Sequence, residues 1–183
     1  MKQTLVTYLR TVPDFRSAYG KRYQLDHLLL MIIFGMMSGC YGYRELGTFV
    51  KANRSELVAL FGLNGTAVPS YVTFRTILLG IDFDALNRAF SQWATQHLSI
   101  AEGDLLSLDG KALASTTQDH SSSKQNFLCI LSVFSQRQGA VLSLCRYHNG
   151  HTSEIPTLRE VIEALGLRGV TFSVDALHCQ KKR

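Results

Sequence analysis

The pattern of apolar residues changes once along this chain of 183 residues, at the segment SIAEGD (99–104). Before that segment, apolar residues recur with the 3.6-residue period of amphipathic helices. After it, they fall mainly in short runs of the kind found in strands. The sequence therefore predicts an α+β protein with two parts, an all-helical N-terminal domain over residues 1–98 and a sheet-containing domain over residues 99–183.

Five helices are predicted before the change. The segment YQLDHLLLMIIFGMMSGC (23–40) is apolar on nearly all sides, which is typical of the central helix of a small bundle. Its apolar run falls short of the roughly 20 residues needed to cross a bilayer, and it begins too far into the chain for a signal peptide. The other four helices are expected near residues 43–52, 53–62, 70–80 and 82–98. In the last of these, Phe83, Leu86, Phe90 and Trp93 should share one apolar side.

The second half is predicted to contain four strands and one helix. Apolar runs over 104–109, 127–134, 140–147 and 169–175 indicate strands, and a helical period returns over 152–165. The polar segment STTQDHSSSKQ (115–125) is interpreted as a loop between the first two strands.

Charge and cysteine content narrow the functional classes. The formal net charge is +5, of which residues 1–100 carry +4 and residues 101–183 carry +1. A basic first half is compatible with a polyanionic partner, although ordinary surface charge explains the same count. None of the four cysteines forms a C-x-x-C pair, and no secretion signal precedes them. A reduced, cytoplasmic protein without a membrane segment is therefore expected.

Two aspartates stand at the ends of apolar runs, Asp109 in LLSLDGKAL and Asp175 in GVTFSVD. Asp-Gly is a strong signal for a tight hairpin turn, so Asp109 could be a turn residue. If residues 152–165 form a crossover helix, however, the two strands can lie parallel and side by side. Both carboxylates would then emerge together, in a position to bind a hard cation such as Mg²⁺. The amino-acid sequence of the two motifs leaves both interpretations of Asp109 open.

The order of several segments resembles that of H-repeat-associated, ISAs-type insertion-sequence transposases. The segments are PDFRSAYGKRYQLDHLLLMIIFGMMSGCYGYRELGTFVKANRSEL, PSYVTFRTIL, LLSLDGKAL, HTSEIPTL and VTFSVDALHCQKK, and they span nearly the whole chain. DGK or SEIP alone would carry little weight. Their order and spacing behind this helical first half are more specific.

The resemblance implies a DDE transposase with a ribonuclease-H-like core, here in partial form. It implies that Asp109 and Asp175 are the first two catalytic acids and that Mg²⁺ or Mn²⁺ serves as cofactor. The implied partners are the terminal repeats of the element and either a second copy or a full-length transposase. The family's third acid, a Glu on a later helix, has no counterpart before Arg183. A truncated copy that does not cleave DNA and binds metal poorly is therefore expected, and Glu154 cannot be assumed to replace the missing acid.

A DNA-binding role is predicted for five cations. Residues 44–78 are interpreted as a helix-turn-helix-like segment, with Arg75 on the recognition helix and Arg44, Lys51 and Arg54 contacting phosphates. Lys111 would lie beside the acids. Two alternatives stay open: a helical bundle that only packs on the catalytic core, and a non-catalytic DNA-binding fragment or regulator of transposition.

Overall fold

The computed structural model describes residues 3–63, 67–118, 126–149 and 154–175. The chain divides into two compact units, Met1–Trp93 and Ala94–Arg183. This division lies five residues before the boundary expected at 98/99. Within the described ranges, no helix is long and apolar enough to cross a membrane.

The first unit is helical. Six α-helices follow one another, and the last ends in the second unit: α1 Leu5–Leu9, α2 Leu25–Met37, α3 Tyr43–Ala52, α4 Arg54–Phe61, α5 Tyr71–Gly80 and α6 Phe83–His97. A single 3-10 turn, Ala18–Gly20, precedes α2. The five predicted helices are present as α2 to α6, and α1 was not predicted.

Helix α2 lies in the core of this unit, as its apolar sequence predicts. Leu28 and Met31 are fully buried, and each buried apolar side chain of this size stabilises the fold by about 1.5–3 kcal/mol. The helix also buries one carboxylate, that of Asp26. The Nε atom of Arg10 donates a hydrogen bond to its Oδ2 atom at 2.9 Å, so the buried charge is paired.

The apolar side predicted for α6 is wrong in part. The residues of this helix that are buried in the core of the first unit are Ala85 and Ala89. Phe90 remains 43% exposed and makes an edge contact with Trp93, with ring centroids 5.3 Å apart. Leu86, another residue of the predicted side, packs against this core and is partly buried.

The second unit contains a four-stranded mixed sheet. Its strands are β1 Leu105–Gln118, β2 Asn126–Ser135, β3 Ala140–His148 and β4 Thr171–Ser173, and helix α7 Glu154–Leu165 connects β3 to β4. The order in the sheet is β3-β2-β1-β4. Strands β1, β2 and β3 pair antiparallel, whereas β4 pairs parallel with β1.

One side of the sheet is covered by α7. Leu158 and Val161 of the helix share a buried cluster with Leu106 and Leu108 of β1 and Leu131 of β2. The strand pattern predicted from the sequence is thus confirmed, with one difference. The segment interpreted as a loop begins inside β1, which extends to Gln118, and residues 119–125 lie outside the described ranges.

Candidate metal centre

The parallel pairing of β1 and β4 brings the two predicted acids into line. Ser107 of β1 pairs with Ser173 of β4. Asp109 follows Ser107 by two residues, and Asp175 follows Ser173 by two residues. Neighbouring strands lie about 4.8 Å apart, so the two residues would be next to each other if the register continued beyond its last pair. The expectation that their strands are adjacent and parallel is confirmed.

Both aspartates belong to the side of the sheet that faces away from α7. Successive side chains of a strand point to opposite faces. Leu108 is buried in the cluster that includes α7, and Val174 packs against that cluster. Asp109 and Asp175, the residues that follow them, are both exposed. The alternation therefore assigns the two carboxylates to a common face.

The position of Asp109 corrects one prediction. Asp109 does not end its strand but lies within β1, where it pairs with Ser132 of β2. The hydroxyl of Ser132 donates a hydrogen bond of 3.2 Å to the Asp109 carbonyl oxygen. Gly110 pairs with Leu131 in the same ladder, so the Asp-Gly hairpin alternative is wrong. Asp175, in contrast, comes two residues after the end of β4.

Glu154 contacts β1 from the side of the sheet that α7 covers, not from the side assigned to Asp109. A Cβ atom added to Gly110 would overlap Oε1 of Glu154, so the glycine leaves the space that this carboxylate occupies. The carboxylate lines an open groove of about 370 Å³ together with Cys129 and Tyr147. Burial raises the pKa of Tyr147 above its ordinary value, and its hydrogen bond to Cys129 adds to the shift. Glu154 is thus on the α7 side of the sheet, opposite the predicted acids.

A buried ion pair fixes the start of β1. Asp104 is 7% exposed, and Arg137 of the β2–β3 connection contacts both of its carboxylate oxygens at 2.7 and 2.9 Å. Arg137 also donates to the carbonyl of Ser99. The backbone N–H of Ala101 and the guanidinium lower the pKa of Asp104, opposed by burial. This pair was missed from the sequence because 33 residues separate its members.

The same region joins β1 to β4. Gly103 N donates to the carbonyl of Gly169 at 2.6 Å, and Thr171 N donates to the carbonyl of Asp104 at 2.9 Å. These bonds hold the beginnings of the two strands together. They therefore set the register that aligns Asp109 with Asp175.

Two carboxylates on one exposed face are suitable ligands for Mg²⁺ or Mn²⁺. Such ions prefer oxygen ligands and keep several waters, so a pair of carboxylates matches their chemistry. Within the described ranges, no group of three or more His, Cys, Asp or Glu side chains is close enough to hold a metal ion. The metal-binding role of Asp109 and Asp175 stays a prediction.

The five cations predicted to bind DNA are all exposed: Arg44, Lys51, Arg54, Arg75 and Lys111. The first four lie on α3, α4 and α5 of the first unit. Residues 62–70 connect α4 to α5, a longer connection than the three or four residues typical of a helix-turn-helix. Lys111 lies in β1, two residues after Asp109 and on the same face of the sheet.

Comparison with known proteins shows similarity to transposases. Residues 6–94 match the family described as DDE_Tnp_1-associated. Over 179 residues, or 98% of the chain, the sequence is 24% identical to "Putative transposase YncI" of Escherichia coli O157:H7, of which it covers 45%. It is 22% identical over 97% of its length to "H repeat-associated putative transposase YhhI" of Escherichia coli K12, of which it covers 46%. It is 28% identical over 95% of its length to "Uncharacterized protein in dhlA 3'region" of Xanthobacter autotrophicus, of which it covers 58%.

The similarity to H repeat-associated putative transposases that the motifs predicted is confirmed by these relatives. It spans about half the length of the curated relatives it matches. No solved structure matches it.

Proposed function

We propose that this chain is part of a DNA transposase whose sheet carries a metal site formed by Asp109 and Asp175. The observation that supports the proposal is the parallel register of β1 and β4, in which the two aspartates follow the Ser107–Ser173 pair by the same number of residues. The substrate would be duplex DNA at the ends of the mobile element. The reaction would be cleavage of a phosphodiester bond and joining of the new end to a target.

The topology supports a ribonuclease-H-like core. Three antiparallel strands, a crossover helix and a strand parallel to the first are the order that the transposase resemblance implies, and this order is present in the second unit. Such a core would place the acids at neighbouring positions on rigid strands. Rigid strands hold ligands more precisely than loops do.

In this proposal each residue has a defined task. The carboxylates of Asp109 and Asp175 would hold a divalent cation through their oxygen atoms. When bound there, the cation would supply charge stabilisation for the phosphate and activation of the attacking oxygen. Lys111, on the same face of β1, pairs with a neighbouring DNA phosphate. Asp104 and Arg137 hold β1 and β4 in register without contacting the substrate.

Metal binding by the full chain tests the proposal directly. Asp109→Asn and Asp175→Asn keep the shape of the side chain and remove its charge. Each is expected to weaken Mn²⁺ binding in calorimetric titration by tenfold or more, about 1.4 kcal/mol. Glu163→Gln is the matched control, because Glu163 is an exposed acid on α7 and lies in the same unit. Equal Mn²⁺ affinity in both Asp variants and the control would overturn the proposal.

The second candidate function is DNA binding without cleavage, as in a regulator of transposition. It is favoured by the exposure of four of the predicted DNA-contacting cations, Arg44, Lys51, Arg54 and Arg75, on α3 to α5 of the first unit. Incubation of the chain with a duplex carrying the terminal repeats of the element, in Mg²⁺ or Mn²⁺, distinguishes the candidates. Cleavage that disappears in Asp109→Asn supports the transposase, whereas binding without cleavage supports the regulator.

A further inference from the structure

Helices α3 and α5 approach each other closely at one glycine. A Cβ atom added to Gly47 of α3 would lie 2.9 Å from Cβ, 3.2 Å from N and 3.3 Å from Cα of Tyr71, the first residue of α5. The backbone of α5 therefore rests directly on α3 at this point. Side chains next to the contact are consequently directed to its edges.

Five exposed side chains surround this contact and form what we call the junction surface: Tyr43, Arg44, Lys51, Tyr71 and Arg75. Tyr43 precedes Gly47 by four residues and Lys51 follows it by four, so both lie on the same side of α3 as the glycine. Arg75 follows Tyr71 by four residues on α5, where Cβ atoms at this spacing are about 5–6 Å apart. Tyr43 is 37% exposed and Tyr71 is 47% exposed.

The charge of the junction surface is positive. It contains three cations, and α5 contains no acidic residue. The acidic residue of α3, Glu45, folds back to the start of its own helix. Its Oε2 atom accepts hydrogen bonds from the backbone N–H groups of Tyr41 at 2.8 Å and Gly42 at 2.9 Å, and these bonds lower its pKa. The carboxylate thus stays ionised and serves the N-terminus of α3 rather than the cations.

We propose that the junction surface binds the phosphate backbone of duplex DNA, with the hydroxyl groups of Tyr43 and Tyr71 acting together with Arg44, Lys51 and Arg75. The inference rests on the proposed function for the identity of the ligand. Arginine, lysine and tyrosine side chains are all common donors to DNA phosphates. From the sequence, DNA contacts were predicted for each of these cations separately. The contact at Gly47 places Tyr71 of α5 against α3, the helix that carries Tyr43, Arg44 and Lys51.

Salt-dependent binding tests the cations. Full-length chain is titrated into a labelled duplex of random sequence over a series of salt concentrations. Lys51→Ala and Arg75→Ala are each expected to reduce the slope of log K against log salt by about 0.9, the value for one phosphate contact. Arg88→Ala is the matched control, because Arg88 is exposed on α6 in the same unit. Slopes equal to that of Arg88→Ala would overturn the assignment of the cations.

The tyrosines need a separate variant. Tyr71→Phe removes the hydroxyl and keeps the ring, so we expect a severalfold loss of affinity with an unchanged salt slope. Tyr19→Phe is the control, since Tyr19 is fully exposed on the 3-10 turn. If Tyr71→Phe binds the duplex as Tyr19→Phe does, the hydroxyl of Tyr71 makes no phosphate contact and the inference is wrong for that residue.

The outcome is separable from that of the proposed function. The junction variants are expected to bind Mn²⁺ with unchanged affinity, because their residues lie in the helical unit. If the junction variants behave as their controls while Asp109→Asn loses Mn²⁺, the junction inference alone fails. If the junction variants lose salt dependence while Asp109→Asn still binds Mn²⁺, the metal site alone fails.

Discussion

Replacing Gly47 by alanine tests the closeness of the α3–α5 contact. The new methyl group would lie 2.9 Å from Cβ of Tyr71, about 0.5 Å inside the ordinary contact distance of 3.4 Å. The three nearest atoms are Cβ, N and Cα of Tyr71, which no rotation of its side chain can move. Overpacking of this kind costs about 1–3 kcal/mol. Alanine gains about 0.8–1.0 kcal/mol over glycine in a helix, so the expected net destabilisation is about 0–2 kcal/mol.

Urea unfolding followed by circular dichroism measures this balance. Thr48→Ala, at the next and exposed position of α3, is the control for helix propensity away from the contact; it also removes the hydrogen bond of 3.1 Å that the Thr48 hydroxyl donates to the Arg44 carbonyl oxygen. We expect Thr48→Ala to be neutral or slightly stabilising and Gly47→Ala to be less stable than the unsubstituted protein. Each kcal/mol corresponds to a shift in Tm of about 4–8 °C for a unit of this size. A Gly47→Ala protein stabilised by about 1 kcal/mol would refute the reasoning, because it would show that α5 does not restrict this position.

Three other predictions concern the second unit. Gly110→Ala displaces the Glu154 carboxylate, and adding Glu154→Ala should relieve the clash, giving a coupling of about 0.5–3 kcal/mol in a double-mutant cycle; additive effects would contradict the contact. Leu131→Ala should cost about 2–5 kcal/mol in urea unfolding because Leu131 is 1% exposed, whereas Leu105→Ala, at a position 42% exposed, should cost clearly less. Because the pKa of Asp104 is lowered in the fold, its stabilising contribution is present above pH 3.8 and is lost as the pH falls below that value. Asp104→Asn should therefore flatten acid unfolding in that range, and an unchanged acid profile would count against the ion pair.

Local patterns were sufficient to predict most of the elements. The helical period located α2 to α6 and α7, and short apolar runs located all four strands, because both signals depend on neighbouring residues. The Asp-Gly pair could not be interpreted in this way. Its turn preference is overridden by pairing with β2, where Gly110 faces Leu131, and by the Glu154 carboxylate behind it. Both partners lie more than 20 residues away along the chain.

In the candidate site, too, features that depend on neighbouring residues could be predicted and features that depend on distant residues could not. Its two aspartates could be predicted from the sequence because each follows an apolar run and belongs to a segment that resembles a transposase motif; their role stays a prediction. The features that position them could not. Asp104 meets Arg137 only when the β2–β3 connection folds back.

The alignment proposed for Asp109 and Asp175 depends on a short pairing between β4 and β1. Three residue pairs join β4 to β1, and the hydrogen bonds at Gly103 and Thr171 set where that pairing begins. A slip of one residue would exchange the two faces of β4, so that side chains directed towards α7 would point away from it. Damage to the turns that precede the two strands would thus remove the register on which the proposed cation site depends, while leaving both acids in the chain.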